Sequence, residues 1–260
     1  MIASRSAGVG VAVLLLLLLS STASSTARPW HWLLRTQHVD LTASAQPTAA
    51  DPDVVDRVFG VNASPFWRSK ADATAMTSAT CDKCTGEATT LQVLYVRQAG
   101  STRVDNNAVA WSRCRSCAAS ALSVQVVVVR RGVAVEANNR ALAVNAVCDE
   151  CQTSAGAYQL VVVSPDAGRL SRGAMSDLRA WVARQRDLLR SLAPRASTTG
   201  PPSGRRAAGT PPHSSAAAED RAGGARLPGA LPTLEELVNS DLGSVTDEAH
   251  ADVHAPGPAQ

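Results

Sequence analysis

The chain has 260 residues, of which 45% are apolar but only 3% aromatic, and a net charge of +3. That charge is too small and too evenly spread for a nucleic-acid-binding surface. An apolar content drawn mostly from Ala and Val buries little area per residue, so such a core gains from covalent cross-links.

Residues 1–27 read as a secretory signal. Arg5 supplies a positive start, Val9 to Leu19 an apolar core, and the small residues of SSTASSTA offer cleavage after Ala23 or Ala27. The apolar run is too short to span a bilayer comfortably. The alternative is an uncleaved anchor, with Trp30 and Trp32 at the interface. The expected location is therefore secreted or extracytoplasmic, in the cell envelope, with membrane contact only through this segment if it is retained.

Residues 28–70 read as a mostly irregular N-terminal extension. Within it, DPDVVDRVFGV (51–61) has the punctuation of one capped helical turn ending near Gly60. Phe59, Phe66 and Trp67 are expected to pack on the sheet that follows.

Residues 71–193 form a repeat domain. Three Cys-x-x-Cys pairs, Cys81/Cys84, Cys114/Cys117 and Cys148/Cys151, start 33 and 34 residues apart. They open the matching phrases CDKCTGEATTLQVLYV, CRSCAASALSVQVVVV and CDECQTSAGAYQLVVV. Such self-similarity at a fixed period has to be recognised before any other feature. An Ala-alternating segment precedes each pair and a Val-rich run follows it, which favours strands. Asn, Asp and Gly between copies supply turns. The expected fold is mainly β: an antiparallel meander of about six strands from three repeats of about 33 residues, followed by one amphipathic helix. That helix spans 171–193, with Ser171 as N-cap and Met175, Leu178, Trp181, Val182, Leu188, Leu189 and Leu192 on its apolar face. It is expected to cover one face of the sheet.

From 194 to 260 the chain is Pro-, Ala- and Gly-rich with an acidic end, a composition that cannot offset its ordering entropy. Disorder is the expectation there. LPTLEELVNSDL (231–242) alone carries helical punctuation.

The cysteines admit three chemistries. Structural disulfides suit an exported chain, but bridged Cα atoms must lie within about 7 Å. Residues three apart in a strand are roughly 10 Å apart. A local bridge therefore needs a turn at each pair. Pairing between equivalent cysteines of stacked repeats would leave one of three unpaired in each column, whereas local pairing of Cys81 with Cys84, Cys114 with Cys117 and Cys148 with Cys151 leaves none. Spacing alone does not prove one connectivity. The second chemistry is zinc held by two converging pairs, with the third pair spare. The third is thiol–disulfide catalysis, which normally needs a cysteine at a helix N-terminus or beside a cation. Here a strand is expected after each pair, and Asp149 and Glu150 lie inside the third.

No HExxH, GxSxG, P-loop or dinucleotide-binding pattern occurs, and the five histidines form no metal-ligand motif. No catalytic residue and no cofactor is therefore assigned. Gln92, Gln125 and Gln159, each eleven residues after the first cysteine of its repeat, are expected to form a buried polar ladder across strands.

The phrases NAVAWSRCRSCAASALSVQVVVV (107–129) and NRALAVNAVCDECQTSAGAYQLVVV (139–163), followed by a helix after Leu170, resemble a secreted Cys-x-x-Cys repeat domain of high-G+C bacteria. That family has no known function, although some members are described as peptide zinc metalloproteases. This chain lacks HExxH and a membrane-spanning protease segment, so the resemblance implies an exported domain and not that activity. The resulting expectation is a non-enzymatic binding or structural module of the envelope. Its partner is unidentified: another envelope protein, or a second copy through the sheet. The alternative is an envelope thiol–disulfide oxidoreductase or metal-binding protein using the same pairs.

Overall fold

The computed structural model describes residues 36–97, 100–146, 148–165, 168–192 and 230–256. The signal segment expected over 1–27 lies outside them. Eight strands run in pairs along the chain: β1 (Thr36–Ala45), β2 (Asp53–Ser64), β3 (Arg68–Ala79), β4 (Thr85–Val96), β5 (Ser101–Ser112), β6 (Ala118–Val129), β7 (Ala134–Asn145) and β8 (Gln152–Val163). They are followed by α1 (Arg172–Leu192), α2 (Ala230–Leu242) and β9 (Val245–His254).

Consecutive strands do not pair. Odd-numbered strands form one sheet in the order β1-β3-β5-β7, and even-numbered strands form a second, β2-β4-β6-β8-β9. Within β1 to β8 every pairing is parallel. The chain therefore winds as a β-solenoid of four coils, and the expected antiparallel meander is corrected. Each Cys-x-x-Cys turn carries the chain across from one sheet to the other instead of closing a hairpin. A sign of this was present in the composition. In β4 and β6 every residue after the first is buried on both faces, as parallel strands covered on both sides require.

Constant period turns sequence repetition into stacking. Residue 68 pairs with 101 and 101 with 134, so equivalent side chains line up along the solenoid. The inner faces meet in three zones. Near the cysteine turns both sheets contribute alanines, among them Ala75, Ala88, Ala108, Ala121 and Ala155. At the far end Leu94, Val96, Val104, Val127 and Val161 fill the space. Polar columns occupy the middle.

The first coil was not foreseen. Residues 51–61 were expected to form a helical turn, but β2 is an extended strand paired along its whole length with β4. Val54/Val58 and Val55/Phe59 repeat at four residues, a helical spacing, yet the same residues alternate between faces with Asp56 and Arg57. The partner strand decides between the two. Phe59 and Trp67 are also half exposed instead of packed, although the Arg179 guanidinium lies 6.0 Å from the Phe59 ring.

Helix α1 begins as the sequence indicates, with the Ala174 N–H donating to Ser171 Oγ at 3.1 Å. Its Leu178, Trp181, Val182 and Leu189 pack on the outer face of the even sheet, against Leu122, Val124, Tyr158 and Leu160. Trp181 meets Tyr158 edge to face at 5.2 Å. Gly156 leaves the room that Leu189 occupies, since a Cβ there would stand 2.9 Å from Leu189 Cδ1.

Disorder expected from 194 to 260 holds for none of the described part. Helix α2 buries Leu234 and Val238 in the same cluster as α1, and Thr233 Oγ1 accepts from Trp181 Nε1 at 3.1 Å. Strand β9 then pairs antiparallel with β8. Residues 193–229 and 257–260 lie outside the described residues. No described helix is long and apolar enough to cross a membrane.

Candidate functional site: the cysteine column

Each cysteine pair sits in a tight turn, and the turn has one conformation made three times. The residue before the second cysteine is left-handed in all of them: Lys83 (φ 62°), Ser116 (φ 53°) and Glu150 (φ 54°). That reversal folds the four residues back, so that paired Cα atoms stand 5.4, 6.0 and 5.7 Å apart, within bridging range. The Sγ atoms of Cys81 and Cys84, of Cys114 and Cys117, and of Cys148 and Cys151 are at disulfide-bonding distance, and no described cysteine is free.

Neighbouring turns are hydrogen-bonded to one another. The Lys83 N–H donates to Arg115 O, and the Ser116 N–H donates to Asp149 O, both at 2.8 Å. Side chains repeat the link: Arg115 N–H donates to Asp82 Oδ1 and Ser116 Oγ to Glu150 Oε2, each at 2.8 Å. The acidic residues inside the motifs thus cap backbone and hydroxyl donors of the next turn. Cys84, Cys117 and Cys151 are buried, while Cys81 and Cys148 are part exposed.

The sulfur atoms also stack. Cys117 Sγ lies 3.1 Å from Cys151 Sγ, and with Cys114 they form a group whose Sγ atoms all lie within 4.8 Å. Among the described residues this is the one cluster with metal-compatible spacing. Its surroundings suit sulfur without charge. Cys114 Sγ faces Ala79 O at 3.0 Å and Cys151 Sγ faces Cys114 O at 3.1 Å. A thiolate would be repelled by those carbonyl lone pairs, whereas a thiol or a bridged sulfur is not. Strands, not helices, start at Thr85, Ala118 and Gln152 just after the pairs, so no helix dipole is available to stabilise a thiolate.

The glutamines form a continuous column. Gln125 Nε2 donates to Gln92 Oε1, and Gln159 Nε2 donates to Gln125 Oε1, both at 2.7 Å. Each Nε2 also donates across the core, to Val39 O, Ala71 O and Val104 O at 3.0, 3.2 and 3.2 Å. In the first coil the position belongs to Gly60, which pairs with Gln92. A second column was not anticipated: Asn106 Nδ2 donates to Asn139 Oδ1 at 2.7 Å, and Ser123 Oγ to Asn106 Oδ1 at 2.6 Å. The expectation that Asn and Asp between the copies supply turns is corrected for Asn106, which lies inside β5. The glutamine column is fully buried and the asparagine column opens only at Asn139, an arrangement suited to holding register.

An ion cluster was also missed. The buried carboxylate of Glu87 accepts from Arg57 at 3.0 Å and lies 3.5 and 3.3 Å from Arg186 and Arg190 of α1. Asp187 is held below the usual carboxylate range, chiefly by its hydrogen bond from Arg190. Beside this cluster is a cavity of about 230 Å³ lined by Thr85, Ser120, Ser154, Gln152 and Arg190. No sequence signal marks Glu87, because its arginines come from strands and helix far along the chain.

The described histidines are scattered. His38 lies on the exposed face of β1 and His250 beside Glu248. His250 and His254 sit four apart on strand β9, roughly 13 Å along it, too far to share one ion. Compared with protein-family models, with curated proteins and with solved structures, the chain matches none.

Proposed function

We propose that the chain is an exported, disulfide-stapled β-solenoid that serves the cell envelope as a non-enzymatic binding or structural module. The observation that carries this is the cysteine column: three similar turns, each with a left-handed residue before the second cysteine, its pair at bonding distance and at least one cysteine buried. Small inner residues leave a thin core, and cross-links at every described Cys-x-x-Cys turn limit the conformations of the unfolded chain. Oxidising compartments outside the cytoplasm are where such links persist. A leader over residues 1–27 agrees with that placement. Regular sheets whose end strands pair on one side only among the described residues suit self-association or capture of a partner.

The rival reading, a thiol–disulfide oxidoreductase or a metal-binding protein, rests on the close approach of Cys114, Cys117 and Cys151. Thiol counting, metal analysis and redox titration of the exported protein separate the two. The staple reading expects no free thiol, no zinc and a reduction potential below about −300 mV. A pair titrating near the glutathione range, or stoichiometric zinc with free thiols, would overturn it.

A further inference from the structure

The two ends of the solenoid are finished differently. At the C-terminal end β9 pairs with the edge of β8, and its Asp252 Oδ2 and His254 Nδ1 accept from the β7 N–H groups of Ala141 and Ala143 at 2.6 and 2.9 Å. At the N-terminal end β1 and β2 pair on one side only among the described residues. Asp56 Oδ2 accepts from the Ser44 N–H at 2.6 Å, and no other described strand pairs with that edge. Inner-face positions that are buried in the next two coils are part exposed here: Leu41, Val54, Val58, Gly60 and Asn62. The outer face of β2 is uncovered too, with Val55, Phe59 and Val61 exposed by 53%, 46% and 52%.

We propose that this end is a homodimer interface, in which two copies meet head to head across a two-fold axis perpendicular to the sheets. Strand β2 then pairs antiparallel with β2 of the second copy, and β1 with its own counterpart. The proposal deepens the reading of the chain as a structural module by naming the partner and the surface.

Four considerations select a second copy. A head-to-tail stack, which would grow into a fibre, is disfavoured because β9 makes one sheet a strand longer than the other and its Asp252 and His254 already cap β7 N–H groups. In a two-fold antiparallel pairing, opposed residues must point to the same face, so their numbers sum to an even value. With Val58 on the axis, Val55 faces Val61, Arg57 faces Phe59, Val54 faces Asn62 and Asp56 faces Gly60. On the outer face these are an apolar pair and a cation–aromatic pair of the kind that stabilise antiparallel ladders, and no like charges are opposed on either face. Sliding two residues one way would bring Arg57 against Arg57, and sliding the other way sets Phe59 against Phe59 but leaves Arg57 facing Val61 and Val55 facing only Ala63. Finally, a 12-residue strand runs about 40 Å, and two sheets about 10 Å apart make an end about 20 Å thick once their outer side chains are included, so the face offers on the order of 800 Å² per copy, a standard-size interface.

The test is the mass of the exported, oxidised protein by sedimentation equilibrium, run with three variants on the exposed face of β2. The wild type is expected to be a dimer. Val55→Lys with Val61→Lys places lysines opposite one another and is expected to weaken the dimer at least tenfold. Val55→Lys with Val61→Glu opposes Lys to Glu at both symmetric sites and is expected to restore it, while Val55→Lys alone falls between. Circular dichroism checks that each variant is folded. A wild-type monomer would overturn the proposal, including one whose own preceding residues cover the end. So would an oligomer that the double lysine variant leaves unchanged, or one that grows without limit. Thiol content measured on the same samples keeps the outcomes separate: a fully oxidised monomer overturns the dimer alone, and a dimer with free thiols overturns the staple reading alone.

Discussion

Gln125 makes two ladder bonds inside a dry core, one to Gln92 and one from Gln159. Replacing it with Leu removes both and leaves Gln92 Oε1 and one Gln159 N–H buried without partners. An orphaned buried group costs about 1–3 kcal/mol. Gln125→Leu is therefore expected to destabilise the fold by about 2–4 kcal/mol in urea titration, and a loss below about 1 kcal/mol would contradict the ladder's role. Tyr158 makes the opposite case, since its hydroxyl is buried with no partner. Tyr158→Phe is expected to be neutral or to stabilise by about 1 kcal/mol. Burial holds the Tyr158 hydroxyl well above the ordinary tyrosine range. With the folded pKa raised, its contribution is complete below the unfolded value and is lost as pH rises above about 10. Alkaline unfolding of Tyr158→Phe should therefore begin at higher pH than that of the wild type, which a pH series of melting curves will measure. Residues of this kind were partly legible: the glutamines recur at one offset from each cysteine pair, whereas nothing near Tyr158 distinguishes it from an exposed strand tyrosine.

Strands and helices were legible to different depths. The three cysteine-bearing repeats and helix α1 follow from pattern, because period-2 alternation gives way to a 3.6-residue period after Leu170. Strand order did not follow, because alternation determines which face a residue takes and not which neighbour it meets. Coil one was hidden because it lacks a cysteine pair and has Gly60 at the ladder position, so only its 32-residue offset from coil two (Asp53 pairing with Thr85) marks it as a repeat. Strand β9 reads as a polar tail, and only the β8 edge makes it a strand. Contacts at this scale predict that Gly156→Val, which drives side-chain atoms into Leu189, will loosen α1 from the sheet. A cost of about 1–3 kcal/mol and faster amide exchange in α1 are expected; unchanged exchange would contradict the packing. Glu87→Gln leaves Arg57, Arg186 and Arg190 without their shared anion and should destabilise by about 1–3 kcal/mol. The loss should be read as a lower denaturant midpoint, smaller at high salt because Arg57 and Arg190 are partly exposed.

For the whole molecule, stability comes from stacking identical coils, each of which would leave its faces uncovered alone. Helices α1 and α2 cover β4, β6 and β8 on the outer face of one sheet, β9 pairs with one end, and the cysteine turns tie the strands at the crossing from sheet to sheet. Reduction should therefore loosen the turns first and leave the distant Val-rich zone protected longest. The claim that the cysteine pairs are staples of an exported solenoid is tested most directly by mass mapping of unreduced protein recovered outside the cytoplasm. The predicted result is an N terminus after Ala23 or Ala27 and three local links, Cys81–Cys84, Cys114–Cys117 and Cys148–Cys151. Protein retained in the cytoplasm with free thiols, or links joining cysteines of different coils, would contradict it.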